Sequence, residues 1–177
     1  MNSEKTLWER LVVDLDEGNF TALDEMLNAE NASLIELLET NGEPVDEMNE
    51  ALAFACMVGR LDDAATLLNK GVEPYAGMKT WLAGPHWAAS SGQLEVIKML
   101  IERNVPLDVE NKYGGTVLGQ ALWSAINEHK STHAEIIRLL IDAGATIEQG
   151  TLGWWQEQNV PSEETKQKVT EYLQAAS

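Results

Sequence analysis

The chain of 177 residues is short of several things at once, and each shortage removes a class of function. Its single cysteine, Cys56, rules out an intramolecular disulfide and a thiolate metal cluster. Within the apolar run ALAFACMV this residue reads as a small buried side chain, which fits a reducing compartment. Cations are scarce, with 12 Lys and Arg against 29 Asp and Glu, for a formal net charge of −17. Phosphate backbones and anionic lipids are held by clustered cationic side chains, so neither nucleic acid nor a membrane surface is an expected partner. No stretch approaches the ~20 apolar residues that span a bilayer. The opening MNSEKTLWERLVVDLDEG lacks the apolar core of a signal peptide, and a cytoplasmic, monomeric protein is the expectation. G-x-S-x-G, a phosphate-cradling glycine loop and H-E-x-x-H do not occur, so no enzyme activity and no cofactor are predicted.

What is present is enough apolar material, 44% of residues, for one folded domain over residues 1–177. The acidity is uneven. Met1 to Glu50 holds 14 acidic residues against only Lys5 and Arg10. This is either a solvated face that keeps the chain soluble or a landing surface for a basic protein.

Self-similarity organises the rest. In GPHWAASSGQLEVIKMLIERN, Ala88-Ala89 precede Gly92, Leu100-Ile101 follow, and Asn104 closes the run. In LAFACMVGRLDDAATLLNKG the same order appears as Ala55-Cys56, Gly59, Leu67-Leu68 and Gly71, and both Gly59 to Gly92 and Leu67 to Leu100 are 33 residues. A third copy runs from YGGTVLGQALW to HAEIIRLLIDAGA, with Leu140 lying 40 residues after Leu100; NEHKST houses the surplus as a longer turn. A degenerate first copy turns at Gly18-Asn19, and SLIELLE supplies an additional helix before Pro44. Apolar residues at helical spacing, such as Leu94, Ile97, Leu100 and Ile101, give each unit a face it cannot bury alone. Units of this kind must stack in series.

The period and the partial pattern His86, Ala88, Ala89, Gly92 and Thr116, Leu118, Ala121 resemble ankyrin repeats, from about Leu11 to Ala145. The resemblance implies an all-α solenoid of stacked helix hairpins with short irregular or β-turn tips and helical caps. Its units are a degenerate repeat at 7–46, repeats at 47–78, 79–111 and 112–149, and a cap at 150–177. Pro85, Gly119 and Ala53 depart from the family pattern, and Pro85 leaves the tip geometry near Leu82 open. The GGT-x-LGxAL copy with its stretched turn also resembles small, free-standing bacterial ankyrin-repeat proteins. Trp154, Trp155 and PSEETKQKVTEYLQ are read as a closing unit, with Ser162 starting its helix.

In this family, protein partners touch the hairpin tips and the concave ends of the first helices. That carries over to Met57, Val58, Ser90, Ser91, Trp123 and Ser124 on the helices, and to Lys79, Thr80, Trp81, Leu82, Lys112 and Tyr113 at the tips. Met57 and Trp123 are expected to be exposed, while Trp81 and Leu82 could go either way. The resulting expectation is a non-enzymatic module binding a protein on its concave face, with the acidity pointing to a basic one. An acidic inhibitor or immunity-type protein is the narrower alternative.

Other chemistry is weakly signalled. His129 and His133 are four residues apart, the spacing of helical metal ligands, but lack a third ligand in register and otherwise read as a solvated turn. His86 matches the family's structural histidine, which ties neighbouring hairpin backbones together. Asp14 to Glu25 imitates a calcium loop, yet its glycine is fifth and its fifth place offers no oxygen ligand. No metal site is predicted; an enzyme or small-molecule binder using these histidines is the third reading.

Overall fold

The structure, a computed structural model, describes residues 45–76, 81–128 and 130–176. The first copy up to residue 44, the Asp14–Glu25 run, Lys79, Thr80 and His129 lie outside the described residues. Among the described residues there are eight helices and no strand. They are α1 (Val45–Val58), α2 (Leu61–Asn69), α3 (Gly84–Ser90), α4 (Leu94–Glu102), α5 (Val117–Asn127), α6 (His133–Asp142), α7 (Thr151–Glu157) and α8 (Glu163–Ala175).

Three hairpins, α1–α2, α3–α4 and α5–α6, stack in series. The first helices pack α1 on α3 on α5, and the second helices pack α2 on α4 on α6. Small side chains make the first row possible: Ala51, Ala55, Ala88, Ala89 and Ala121 are all fully buried, so the backbones approach closely. Leu67, Ile97, Leu100, Ile136, Ile137 and Leu140 fill the space between the rows. Each such side chain contributes about 1.5–3 kcal/mol by leaving water.

Gly59 and Gly92 end the first helices at φ of 79° and 70°, the left-handed region that a Cβ disfavours. Their lack of a side chain serves a second purpose. A Cβ on Gly59 would come within 2.3 Å of Gln93 Oε1, and one on Gly92 within 2.7 Å of Thr132 Oγ1, because the next repeat lies directly on each turn. The second helices close by a shared pattern: Val72, Val105 and Ala145 each donate N–H to the carbonyl of Leu67, Leu100 and Leu140. Asn104 takes the left-handed place at φ 55° where the other copies use glycine.

The tips are irregular. Pro85 is accommodated in the first turn of α3, where its missing N–H costs nothing. His86, fully buried, donates from Nε2 to Val109 O at 3.0 Å, tying α3 to the following tip as the family resemblance implied. Asn111 Oδ1 accepts from Tyr113 N at 2.8 Å and Gly115 N at 3.1 Å and holds that tip closed. Asp108 then receives Thr146 N and Oγ1 at 2.9 and 2.8 Å, fixing the next tip.

At the C-terminal end α8 packs on α6 and carries α7 against itself. Ser162 caps α8 by accepting from Thr165 N at 3.2 Å, and Val169 and Leu173 are fully buried. Trp155 is buried while its neighbour Trp154 faces out, as adjacent residues about 100° apart on a helix must. The row of first helices is not continued: α7 makes no contact with α5 comparable to that of α5 with α3.

Candidate binding cleft

The interruption of the row explains which of the expected partner-contacting residues reach solvent. Met57, expected to be exposed, is only 5% exposed, and Ser90, at the equivalent position one repeat later, is buried as well. Ser90 is covered by the next first helix. Ser90 Oγ meets Ser124 Oγ at 2.9 Å, and Gln120 Nε2 reaches Ser90 Oγ at 3.3 Å, so Ser124 is also buried between helices. Trp123 stands one further period along, where no helix covers it, and it is 52% exposed as expected. Val58 and Ser91 are half-buried.

At the tips the apolar pair divides. Leu82 is buried, and Trp81 is exposed with φ of 71°. Tyr113 stacks on Trp81 with ring centroids 5.7 Å apart, and Lys112 Nζ lies 4.9 Å from the Trp81 centroid. Lys112 N also donates to Trp81 O at 3.2 Å, so neighbouring tips are joined through the backbone.

Between α5, the Tyr113–Thr116 tip and the start of α7 lies a cleft of about 900 Å³. Tyr113, Trp123 and Trp154 form its walls, with the buried Ser90 and Asn111 and the half-buried Gln120 deeper, and the exposed Glu128 and Glu148 at the rim. Asn111 Nδ2 to Gln120 Oε1 and Ser90 Oγ to Glu128 Oε1, both 3.4 Å, link the polar groups loosely. Trp154 was not among the sequence-derived contact residues. The signal available was the Trp154-Trp155 pair itself, since one of two adjacent tryptophans on a short amphipathic helix must face outward.

The two described histidines, His86 and His133, play structural parts. His133, read from sequence as part of a solvated turn, is fully buried and donates from Nε2 to Ser90 O at 3.0 Å. By the Leu100 to Leu140 offset it corresponds to Gln93, whose Nε2 donates to Met57 O at 2.9 Å. Both residues cap the end of the preceding first helix. Thr132 Oγ1 to Gly92 O and Lys130 Nζ to Ser91 O, both 2.8 Å, complete this cap. The lengthened turn therefore folds back onto the previous repeat. Burial holds both His86 and His133 below the usual imidazole range, against the opposing pull of carbonyls at Val109 and Ser90.

Cys56 is buried and its thiol is pushed up to about 12 by desolvation, which makes it inert. Among the described residues no group of three His, Cys, Asp or Glu is placed to hold a metal ion. No helix of the described residues is long and apolar enough to cross a membrane.

Residues 86–141 match the family model described as ankyrin repeats (many copies). No curated protein matches the chain.

Proposed function

Because the chain is an ankyrin-repeat protein, and ankyrin repeats are generally protein–protein interaction modules, we propose that it is a non-enzymatic module that engages a protein partner through the concave cleft and the adjoining tips. The observation that carries this reading is the exposure of Tyr113, Trp123 and Trp154 around one concavity, with exposed Trp81 stacked on Tyr113 beside it, while the other large apolar groups among the described residues are buried or half-buried. Exposed aromatics rimmed by polar groups are characteristic of interaction surfaces. Met57 and Ser124 are buried beneath this surface, while Ser90 and Leu82 line the cleft.

The net charge of −17 supports a basic partner, whose approach the field accelerates. A narrower form is an acidic inhibitor that masks a basic toxic or nucleic-acid-binding protein. The test compares the wild type with Trp123→Ala as bait in its native lysate, followed by calorimetry with the protein retained. The variant should lose ~2 kcal/mol of binding if Trp123 is a central anchor. Affinity should also fall as salt rises from about 0.05 to 0.5 M, since exposed charges are then screened. Unchanged affinity in Trp123→Ala would remove the cleft from the binding site, and insensitivity to salt would remove the basic partner.

A further inference from the structure

Resting on the partner-binding reading, and specifying what the cleft holds, we infer that it receives an arginine side chain of the partner, stacked on the indole of Trp123 or Trp154 and forked onto the Glu128 carboxylate.

The charge of the cleft is one-sided. Its charged lining residues are Glu128 and Glu148, and neither makes an ion pair with a described residue. Nearby cations are engaged elsewhere, Lys130 on Ser91 O and Lys112 over Trp81. Glu128 receives only the long 3.4 Å contact from Ser90 Oγ, so most of its acceptor capacity is unused by the described residues. A concavity walled by aromatic faces with two carboxylates at its rim is complementary to a cation and hostile to an anion.

The choice of guanidinium over ammonium follows from shape. The walls offer flat indole and phenol faces, and the rim offers the exposed Glu128 carboxylate. A planar guanidinium can lie on a ring and still direct two N–H groups at a carboxylate in its own plane, whereas an ammonium acts as a point charge and forgoes the fork. The ring surfaces of this protein already accept a cation once: Lys112 Nζ sits over Trp81. A cleft of about 900 Å³ is larger than one side chain, so the arginine enters as part of a peptide segment laid along the groove.

The probe is an acetylated and amidated pentapeptide with arginine between glycines, compared with the same peptide carrying lysine or citrulline, the neutral isostere of arginine. Binding is read from the indole N–H signals of the full chain in heteronuclear NMR. The arginine peptide should shift the Trp123 and Trp154 signals, with citrulline weaker by about tenfold and lysine in between. The double variant Glu128→Gln, Glu148→Gln should lose about tenfold for arginine and nothing for citrulline. Glu163→Gln with Glu171→Gln on α8, the same charge change outside the cleft, should leave binding unaltered. Equal binding of arginine and citrulline, indifference to the Glu128 and Glu148 changes, or no binding of any peptide overturns the inference. Should Trp123→Ala nevertheless weaken the native partner, the module reading survives without the arginine; should it not, both fall.

Discussion

The lengthened turn before α6 makes a quantitative prediction, because His133 can be replaced by the residue that does the same job one repeat earlier. Removing the imidazole in His133→Ala leaves the Ser90 carbonyl without its 3.0 Å donor and opens a void where a fully buried ring stood. The unpaired carbonyl costs about 1–3 kcal/mol and the void adds to it, for a total of about 2–4 kcal/mol. His133→Gln supplies an amide N–H of similar reach, as Gln93 does for Met57 O, and should cost under about 1 kcal/mol. Urea unfolding followed by circular dichroism distinguishes them.

Acid adds a second readout. Burial lowers the His133 pKa from 6.5, so the folded form stays neutral where the unfolded chain takes up a proton. The unfolded state then binds more protons, and stability falls as pH drops below about 6.5, by up to about 1.4 kcal/mol per pH unit for this group. Above that range the two states are alike and no effect is expected. His86, lowered for the same reason, titrates in parallel and remains in both variants. His133→Gln should therefore flatten the acid limb by as much as one proton and leave the neutral plateau nearly unchanged. Equal losses for the alanine and glutamine variants at neutral pH, or an unchanged acid limb in His133→Gln, would refute the assignment of His133 as a helix-end cap.

Two further outcomes concern the turns and one concerns the core. Gly59→Ala and Gly144→Ala impose comparable backbone strain, at φ of 79° and 91°, but only the first Cβ meets a neighbour, Gln93 Oε1 at 2.3 Å. Gly144→Ala should cost about 1 kcal/mol and Gly59→Ala about 2 kcal/mol or more, read as a difference in unfolding midpoint at constant m-value. Asn104→Gly should stabilise by about 0.5–1 kcal/mol, since it removes the Cβ penalty at φ 55° while retaining the Val105 to Leu100 bond. Cys56 should resist thiol reagents under native conditions and react only on unfolding, because its thiol is buried and pushed up to about 12.

What the amino-acid order made legible is what repeats. Gly59 and Gly92 stand 33 residues apart because each must bend a helix end beneath the next repeat, and the alanines beside them recur because each pair of first helices meets at the same depth. A periodic cause leaves a periodic trace. Met57 was misjudged for the complementary reason: its exposure depends on whether another helix lies beyond it, which no property of its own repeat encodes. The same dependence preserves Trp123, which occupies the Met57 register two copies later where α7 has left the row. His133 was hidden by the seven-residue surplus, which displaces it from the Gly92 turn and suggests an insertion in solvent. Only the register of Leu100 and Leu140 pairs it with Gln93, and that pairing has meaning once the carbonyls of Met57 and Ser90 are seen to need the same donor. The cleft is thus a property of where the stack stops: the register that Met57 and Ser90 fill, buried, in the earlier repeats is held by Trp123 in the last, where no first helix follows and the indole is left exposed.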